Sequence, residues 1–144
     1  MNIRPIRDGD EAPLADLWTR CGLVRPWNDP FSDIAFARAT AQTEIFVGEW
    51  DSAIIDSVMC GHDGHRGWVY YLAVSPDCQG RDLGRAMMTQ AEDHLRALDV
   101  PKLELMIRET NAKVVQFYEA LDYKTAPVIV MSRWLKEPPV AQDD

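Results

Sequence analysis

The strongest constraint on this chain is a change of apolar period across one short loop. Tyr70-Tyr71-Leu72-Ala73-Val74 is a continuous aromatic, apolar and β-branched run, the pattern of a buried strand. Pro76 and Gly80 then bracket a loop. After it Leu83, Ala86, Met87, Ala91, His94, Leu95 and Leu98 recur at helical spacing. A strand that enters a helix through a glycine-containing loop leaves backbone N–H groups free at the helix mouth. Together with the positive end of the helix dipole they form an anion site suited to a pyrophosphate.

The remaining elements follow from the same two periods. Asn2 to Arg7 alternates as an edge strand, and Asp8-Gly9-Asp10 is a turn that caps a helix carrying Leu14, Leu17, Trp18 and Cys21 up to Gly22. Ser32 or Asp33 is expected to cap a second helix with Ile34, Phe36, Ala37 and Ala41. Glu44 to Glu49, Ala53 to Cys60 and Trp68 to Val74 read as an antiparallel meander, with turns at Asp51-Ser52 and at Gly61 to Gly67. After the Leu83 helix come a strand from Lys102 to Ile107, a helix opened by Asn111, and two strands expected within Tyr123 to Leu135. The sum is one α/β domain over residues 1–136, in the order β-α-α-β-β-β-α-β-α-β-β, followed by a polar tail at 137–144. The helix between the Trp68 and Lys102 strands makes those two parallel, so the sheet is mixed.

Two phrases resemble one family. Gln79-Gly80-Arg81-Asp82-Leu83-Gly84, preceded by Leu72-Ala73-Val74, resembles the acetyl-CoA signature of the GNAT superfamily of N-acetyltransferases, departing from it at Asp82, where the family usually has Gly. Asn111 to Tyr123, with its Phe117-Tyr118 pair, resembles the family's second motif, with Asp122 in place of a turn glycine. The phrase Arg25-Pro26-Trp27-Asn28-Asp29-Pro30, with Asp63-Gly64-His65-Arg66-Gly67 and Tyr70-Tyr71-Leu72, resembles the bacterial YpeA group of that superfamily. The resemblance implies a GNAT-like sheet whose two parallel strands splay apart to admit the pantetheine arm of acetyl-CoA.

It also implies roles. The cofactor falls to Leu72, Ala73, Val74, Gln79, Gly80, Arg81, Asp82, Leu83, Gly84, Arg85, Asn111 and Tyr118. The developing oxyanion falls to a backbone N–H near Leu72, and the general-acid position to Tyr118. A lysine or α-amine is mostly protonated at neutral pH, so a base is useful. One family position for it holds Trp68 here and another holds Met106, which leaves Glu109 first, with Glu104, Tyr70 and His65 as further candidates. The region between the first two helices shapes the family's acceptor site, which nominates Arg25, Trp27, Asn28 and Asp29 beside His65 and Tyr70.

Composition limits the partners. Fifteen Lys and Arg against 23 Asp and Glu give a net charge of −8 over 144 residues, with no basic patch, which disfavours nucleic acid and suits a cationic amine. No apolar run approaches the ~20 residues of a membrane span. Met1 to Pro5 lacks a hydrophobic signal core, and three cysteines without metal spacing fit reduced thiols and no metal site, so a cytoplasmic protein is expected. The Gly80 loop lacks both the Lys-Ser/Thr of a P-loop and dinucleotide spacing. The expectation is therefore acetyl transfer from acetyl-CoA to a primary amine, on a small molecule or on a peptide N-terminus or lysine, by direct attack in a ternary complex; a homodimer is compatible with it. The alternative is an acyl-CoA-binding sensor of the same fold that has lost catalysis.

Overall fold

Chain order and sheet order coincide. The computed structural model describes residues 1–142, and its five strands lie side by side as β1 (Asn2–Pro5), β2 (Thr43–Trp50), β3 (Ala53–His62), β4 (Gly67–Val74) and β5 (Leu103–Leu105). The first three joints are antiparallel and the last, β4 to β5, is parallel. Helices α1 (Glu11–Arg20) and α2 (Pro30–Arg38) connect β1 to β2, α3 (Leu83–Ala97) crosses from β4 to β5, and α4 (Ala112–Ala120) follows β5. Among the described residues no helix is long and apolar enough to cross a membrane.

Each face of the sheet carries its own core. On one side Leu14, Leu17 and Trp18 of α1 and Ile34 of α2 pack on Ile45, Val47 and Ala73. On the other Met87, Met88, Ala91 and Leu95 of α3 pack with Tyr118 of α4 on Phe46, Val58 and Val69. The β2–β3 turn has φ +50° at Asp51 and +64° at Ser52, the doubly left-handed geometry that matches strand twist in a two-residue hairpin. Asp82, Asp99 and Asp122 are also left-handed, each beside a helix end.

Several local expectations are corrected. α2 starts three to four residues earlier than read, because Asp29 accepts the Phe31 N–H at 3.0 Å and Pro30 fits the first helical turn. Asp10 precedes α1 without capping it through its side chain. Its carboxylate instead takes Arg4 at 2.7 Å, an ion pair that joins β1 to α1 and holds the Asp10 carboxyl below its ordinary range. The Lys102–Ile107 strand is only Leu103–Leu105. The final pair of strands is not formed among the described residues: Val128 to Leu135 has strand-forming side chains but pairs with no strand of the sheet, and a strand without a ladder has nothing to hold it. Of the polar tail, Asp143 and Asp144 lie outside the described residues.

Candidate active site

β4 and β5 are paired only from Gly67–Leu103 to Val69–Leu105. β4 then runs on to Val74 while β5 stops, so the strands part beyond Val69. A cavity of about 690 Å³ opens at this fork. Val69, Leu72, Leu105, Ile107, Asn111 and Tyr118 line its inner part; Arg25, Asn28, Asp33, Asp63, Tyr70 and Tyr71 line the part under α2 and the β3–β4 turn.

The fork is shaped by a bulge. Register passes from Met59–Tyr70 to Ser57–Ala73, so Tyr71 and Leu72 together oppose Val58. Tyr71 takes φ +54°, a conformation costing an aromatic residue ~1–2 kcal/mol. Three contacts hold it there. Its ring stacks on Trp18 at 3.7 Å with 7° between planes. Its carbonyl accepts from Ser57 Oγ at 3.0 Å, and that hydroxyl in turn accepts from Trp18 Nε1 at 2.9 Å. Its hydroxyl donates to Asp33 Oδ2 at 2.6 Å. Burial first, and the Asp33 carboxylate second, push the Tyr71 phenol above its ordinary pKa, so it remains a donor.

Two carboxylates line the cavity, and they differ in what they have to spare. Asp63 is committed to the β3–β4 turn: it accepts the Arg66 and His65 N–H groups at 2.8 and 2.9 Å and Trp68 Nε1 at 3.2 Å, which lowers its pKa. Asp33 sits in the first turn of α2, where the helix dipole favours its charge, and receives Tyr71 on one oxygen. Across the cavity Tyr118 is 7% exposed, and burial pushes its phenol up to about 12. A group with that pKa is protonated at neutral pH and able to donate.

At the mouth of α3 the first helical bond runs from Ala86 N–H to the Asp82 carbonyl at 3.0 Å, so the N–H groups of Leu83, Gly84 and Arg85 precede the helical ladder. Asp82 is the residue before α3, yet with φ +58° its side chain caps nothing, so its carboxylate does not occupy those N–H groups. Gly84 packs closely on α4: a Cβ there would lie 3.1 Å from Phe117 Cζ, so the Phe117 ring would have to yield by a few tenths of an ångström.

The residues nominated from sequence divide accordingly. Leu72, Asn111, Tyr118, Arg25, Asn28 and Tyr70 line the cavity. Ala73 turns its side chain into the core beneath α1, and Val74 lies 3.7 Å from the position a Gly84 Cβ would take. Gln79 to Arg85 form the helix mouth, with Gln79 Nε2 donating to the Val74 carbonyl at 3.3 Å. Trp27 carries the Arg108 guanidinium 5.6 Å over its ring, Asp29 caps α2, and His65 is exposed in the turn; none of these three lines the cavity. Glu109 is exposed on the loop after β5, also outside the lining, and Glu104 pairs with Arg66 at 3.6 Å and Lys102 at 3.8 Å. Sequence reasoning missed Asp33, Tyr71 and Asp63. The Tyr70-Tyr71 doublet was the signal available, since strand alternation sends its two rings to opposite faces.

Residues 12–123 match the acetyltransferase (GNAT) family. An acetyltransferase of Pectobacterium atrosepticum is 43% identical over 138 residues, covering 95% of this chain and 97% of its own length. An uncharacterized N-acetyltransferase of Yersinia pestis is 43% identical over 136 residues, covering 94% and 96%. Among solved structures, an aminoglycoside N-acetyltransferase in complex with CoA superposes with a TM-score of 0.79 at 11% identity, over 94% of this chain and 95% of that one. A ribosomal-protein-alanine N-acetyltransferase from Brucella melitensis does so with a TM-score of 0.74 at 16% identity, over 93% and 100%. The two structures bear out the fold, and the family match with the two relatives settles membership: this chain is an acetyltransferase of the GNAT family, whose acetyl donor is acetyl-CoA.

Proposed function

We propose that the protein transfers the acetyl group of acetyl-CoA to a primary amine, in the cytoplasm, by direct attack within a ternary complex. The observation that carries this reading is the continuity of one cavity from the β4–β5 fork, with Tyr118, to the space under α2, with Asp33. Donor and acceptor can meet there without a covalent enzyme intermediate, and neither Cys60 nor Cys21 is suited to form one, because burial raises both thiol pKa values, Cys60 to about 12.

The residues present fit the donor. The N–H groups of Leu83, Gly84 and Arg85, with the exposed Arg81 and Arg85 side chains, suit a pyrophosphate. The backbone edge of Leu72, Ala73 and Val74, left without a partner strand past Val69, suits the amide-bearing arm of CoA, with Asn111 facing it across the cavity. Acetyl-CoA supplies an activated thioester carbonyl. In the reading we favour, the backbone N–H beside Leu72 receives the charge that develops on the carbonyl oxygen, a contribution typically worth ~2.7–4 kcal/mol of barrier. Tyr118 donates its phenolic proton to the departing sulfur as the C–S bond breaks and the C–N bond forms. Asp33 holds the cationic acceptor at its free oxygen, and Tyr71 positions Asp33. One proton of the ammonium leaves to solvent through the open mouth of the cavity before the nitrogen attacks, and the second, shed as the amide forms, restores the Tyr118 phenol.

A panel of small amines, lysine peptides and N-terminal peptides, assayed for thiol release from acetyl-CoA, tests the reading. Release that depends on the amine and is blocked by desulfo-CoA supports it. Cofactor binding without release on any amine would overturn it.

A further inference from the structure

The part of the cavity under α2 has more positive charge to spare than negative. The sequence carries more acid than base, 23 against 15, so an arginine without a carboxylate partner is the exception. Among the described residues Arg25, Arg81, Arg85, Arg108 and Arg133 pair with none. Arg133 lies in the exposed segment after α4, and Arg81 and Arg85 stand at the mouth of α3. Arg25 and Arg108 both line the cavity, which no residue of that mouth does. A pyrophosphate at the α3 mouth therefore leaves these two guanidiniums for another anion.

One turn brings the two together. The Asn28 N–H donates to the Arg25 carbonyl at 3.0 Å, closing a turn that contains Trp27. Arg108 lies over that tryptophan, 5.6 Å from the ring centroid. A guanidinium stacked on an aromatic face keeps its N–H edge available to an oxyanion. Arg25 Nη1 donates to the Gly22 carbonyl at 2.7 Å, which fixes the group and leaves Nε and Nη2 to spare. Available negative charge is smaller. Asp63 is used by its own turn, and Asp33 has one oxygen beyond the Tyr71 hydroxyl.

The geometry points to an acceptor that brings its own anion: a small amine bearing a carboxylate or phosphate group, with its ammonium on Asp33 and its anion on Arg25 and Arg108. This rests on amine acetylation in this cavity and adds the second charge of the substrate. A plain diamine would instead bring a further cation to two guanidiniums, which selects against it. Guanidinium forks match carboxylate and phosphate oxygens alike, so both anions share the chemistry.

Acceptors matched in pairs test this by thiol release from acetyl-CoA. Glycine, β-alanine, γ-aminobutyrate and lysine are each set against the corresponding carboxamide, and phosphoethanolamine against ethanolamine. In at least one pair the anionic member is expected to be favoured about ten- to a hundredfold in kcat/KM, the effect of a charged hydrogen bond. The favoured pair distinguishes carboxylate from phosphate. Arg25→Gln and Arg108→Gln, neither of them in a core cluster, are expected to stay folded by circular dichroism. Each should lower the preference about tenfold and leave KM for acetyl-CoA unchanged. Arg108→Lys, which keeps the charge, should retain part of the preference. Comparing parent with variant cancels the differing basicity of the amines. Equal kcat/KM within every pair, or a preference undiminished in either glutamine variant, would overturn the inference and leave amine acetylation standing. Release from no amine at all would overturn both.

Discussion

The Tyr71 hydroxyl lies 2.6 Å from the Asp33 carboxylate, joining a left-handed residue of β4 to the first turn of α2 across 38 residues of sequence. Asp33 is thereby held at the α2 end of the cavity, where the proposed acceptor would meet its second oxygen. Asp33→Asn keeps the shape and removes the charge. A hydrogen bond to a charged group is worth ~1.5–3 kcal/mol, so KM for an amine acceptor is expected to rise about ten- to a hundredfold. KM for acetyl-CoA should not move. Tyr71→Phe, which frees Asp33 without removing it, should raise the acceptor KM by less. Steady-state kinetics with both substrates varied separates the two.

Tyr118→Phe is expected to lower turnover about 10²- to 10⁴-fold, the usual range for a positioned proton donor. Its ring lies between Phe117 and Tyr123 at 5.0 and 5.5 Å, contacts that phenylalanine preserves, so folding and CoA affinity should be nearly unchanged. Unchanged turnover would return Tyr118 to a packing role.

For Asp82→Gly two backbone effects oppose each other. Glycine relieves the φ +58° conformation, and it loosens the unfolded chain by ~0.4–1 kcal/mol. No cap is lost, because the side chain accepts nothing from α3. Stability should therefore stay within about 0.5 kcal/mol of the parent. Removing a carboxylate beside the helix mouth should tighten CoA, more at low ionic strength than at high. Calorimetry at two salt concentrations reads both.

Asp56 gives the protein a pH dependence outside the active site. Its side chain is fully buried, faces Gly48 so closely that a Cβ there would overlap it, and has neither oxygen hydrogen-bonded. Burial raises its pKa to about 7. The folded state thus binds a proton that the unfolded carboxyl has already released, so stability falls as pH rises from about 4 to about 7. Each pKa unit is worth ~1.4 kcal/mol, which makes the loss up to about 4 kcal/mol. Asp56→Asn should flatten the slope, gaining stability at pH 8 and little at pH 4 in urea titrations. A parent protein of equal stability at pH 5 and pH 8 would mean that the buried carboxyl finds a partner.

What was legible in the sequence was what depends on neighbours along the chain. The Tyr70–Leu98 strand, loop and helix, the Asn111 helix and the meander all follow from local period and turn residues. Asp33 was readable only as a helix-start residue, because its partner is set by a bulge at Tyr71–Leu72 that alternation cannot announce. Val128 to Met131 carries strand propensity, but propensity names no partner edge. Asp56 sits in an apolar run where its burial on the α3 side depends on the Gly48 register across β2 and β3. Glu109 was favoured for its nearness to the Asn111 motif, and nearness in sequence put it on an exposed loop.

The left-handed aspartates change what the acidity of this chain means. Asp51, Asp82, Asp99 and Asp122 all occupy conformations that glycine would fill at no steric cost and that aspartate tolerates better than most residues. Were glycine at those four places, the formal charge would fall from −8 to −4 with the sheet untouched. Half of the net charge is thus a by-product of how the chain turns corners. What solvent and substrates meet as an acidic protein is, to that extent, its backbone geometry written in carboxylates.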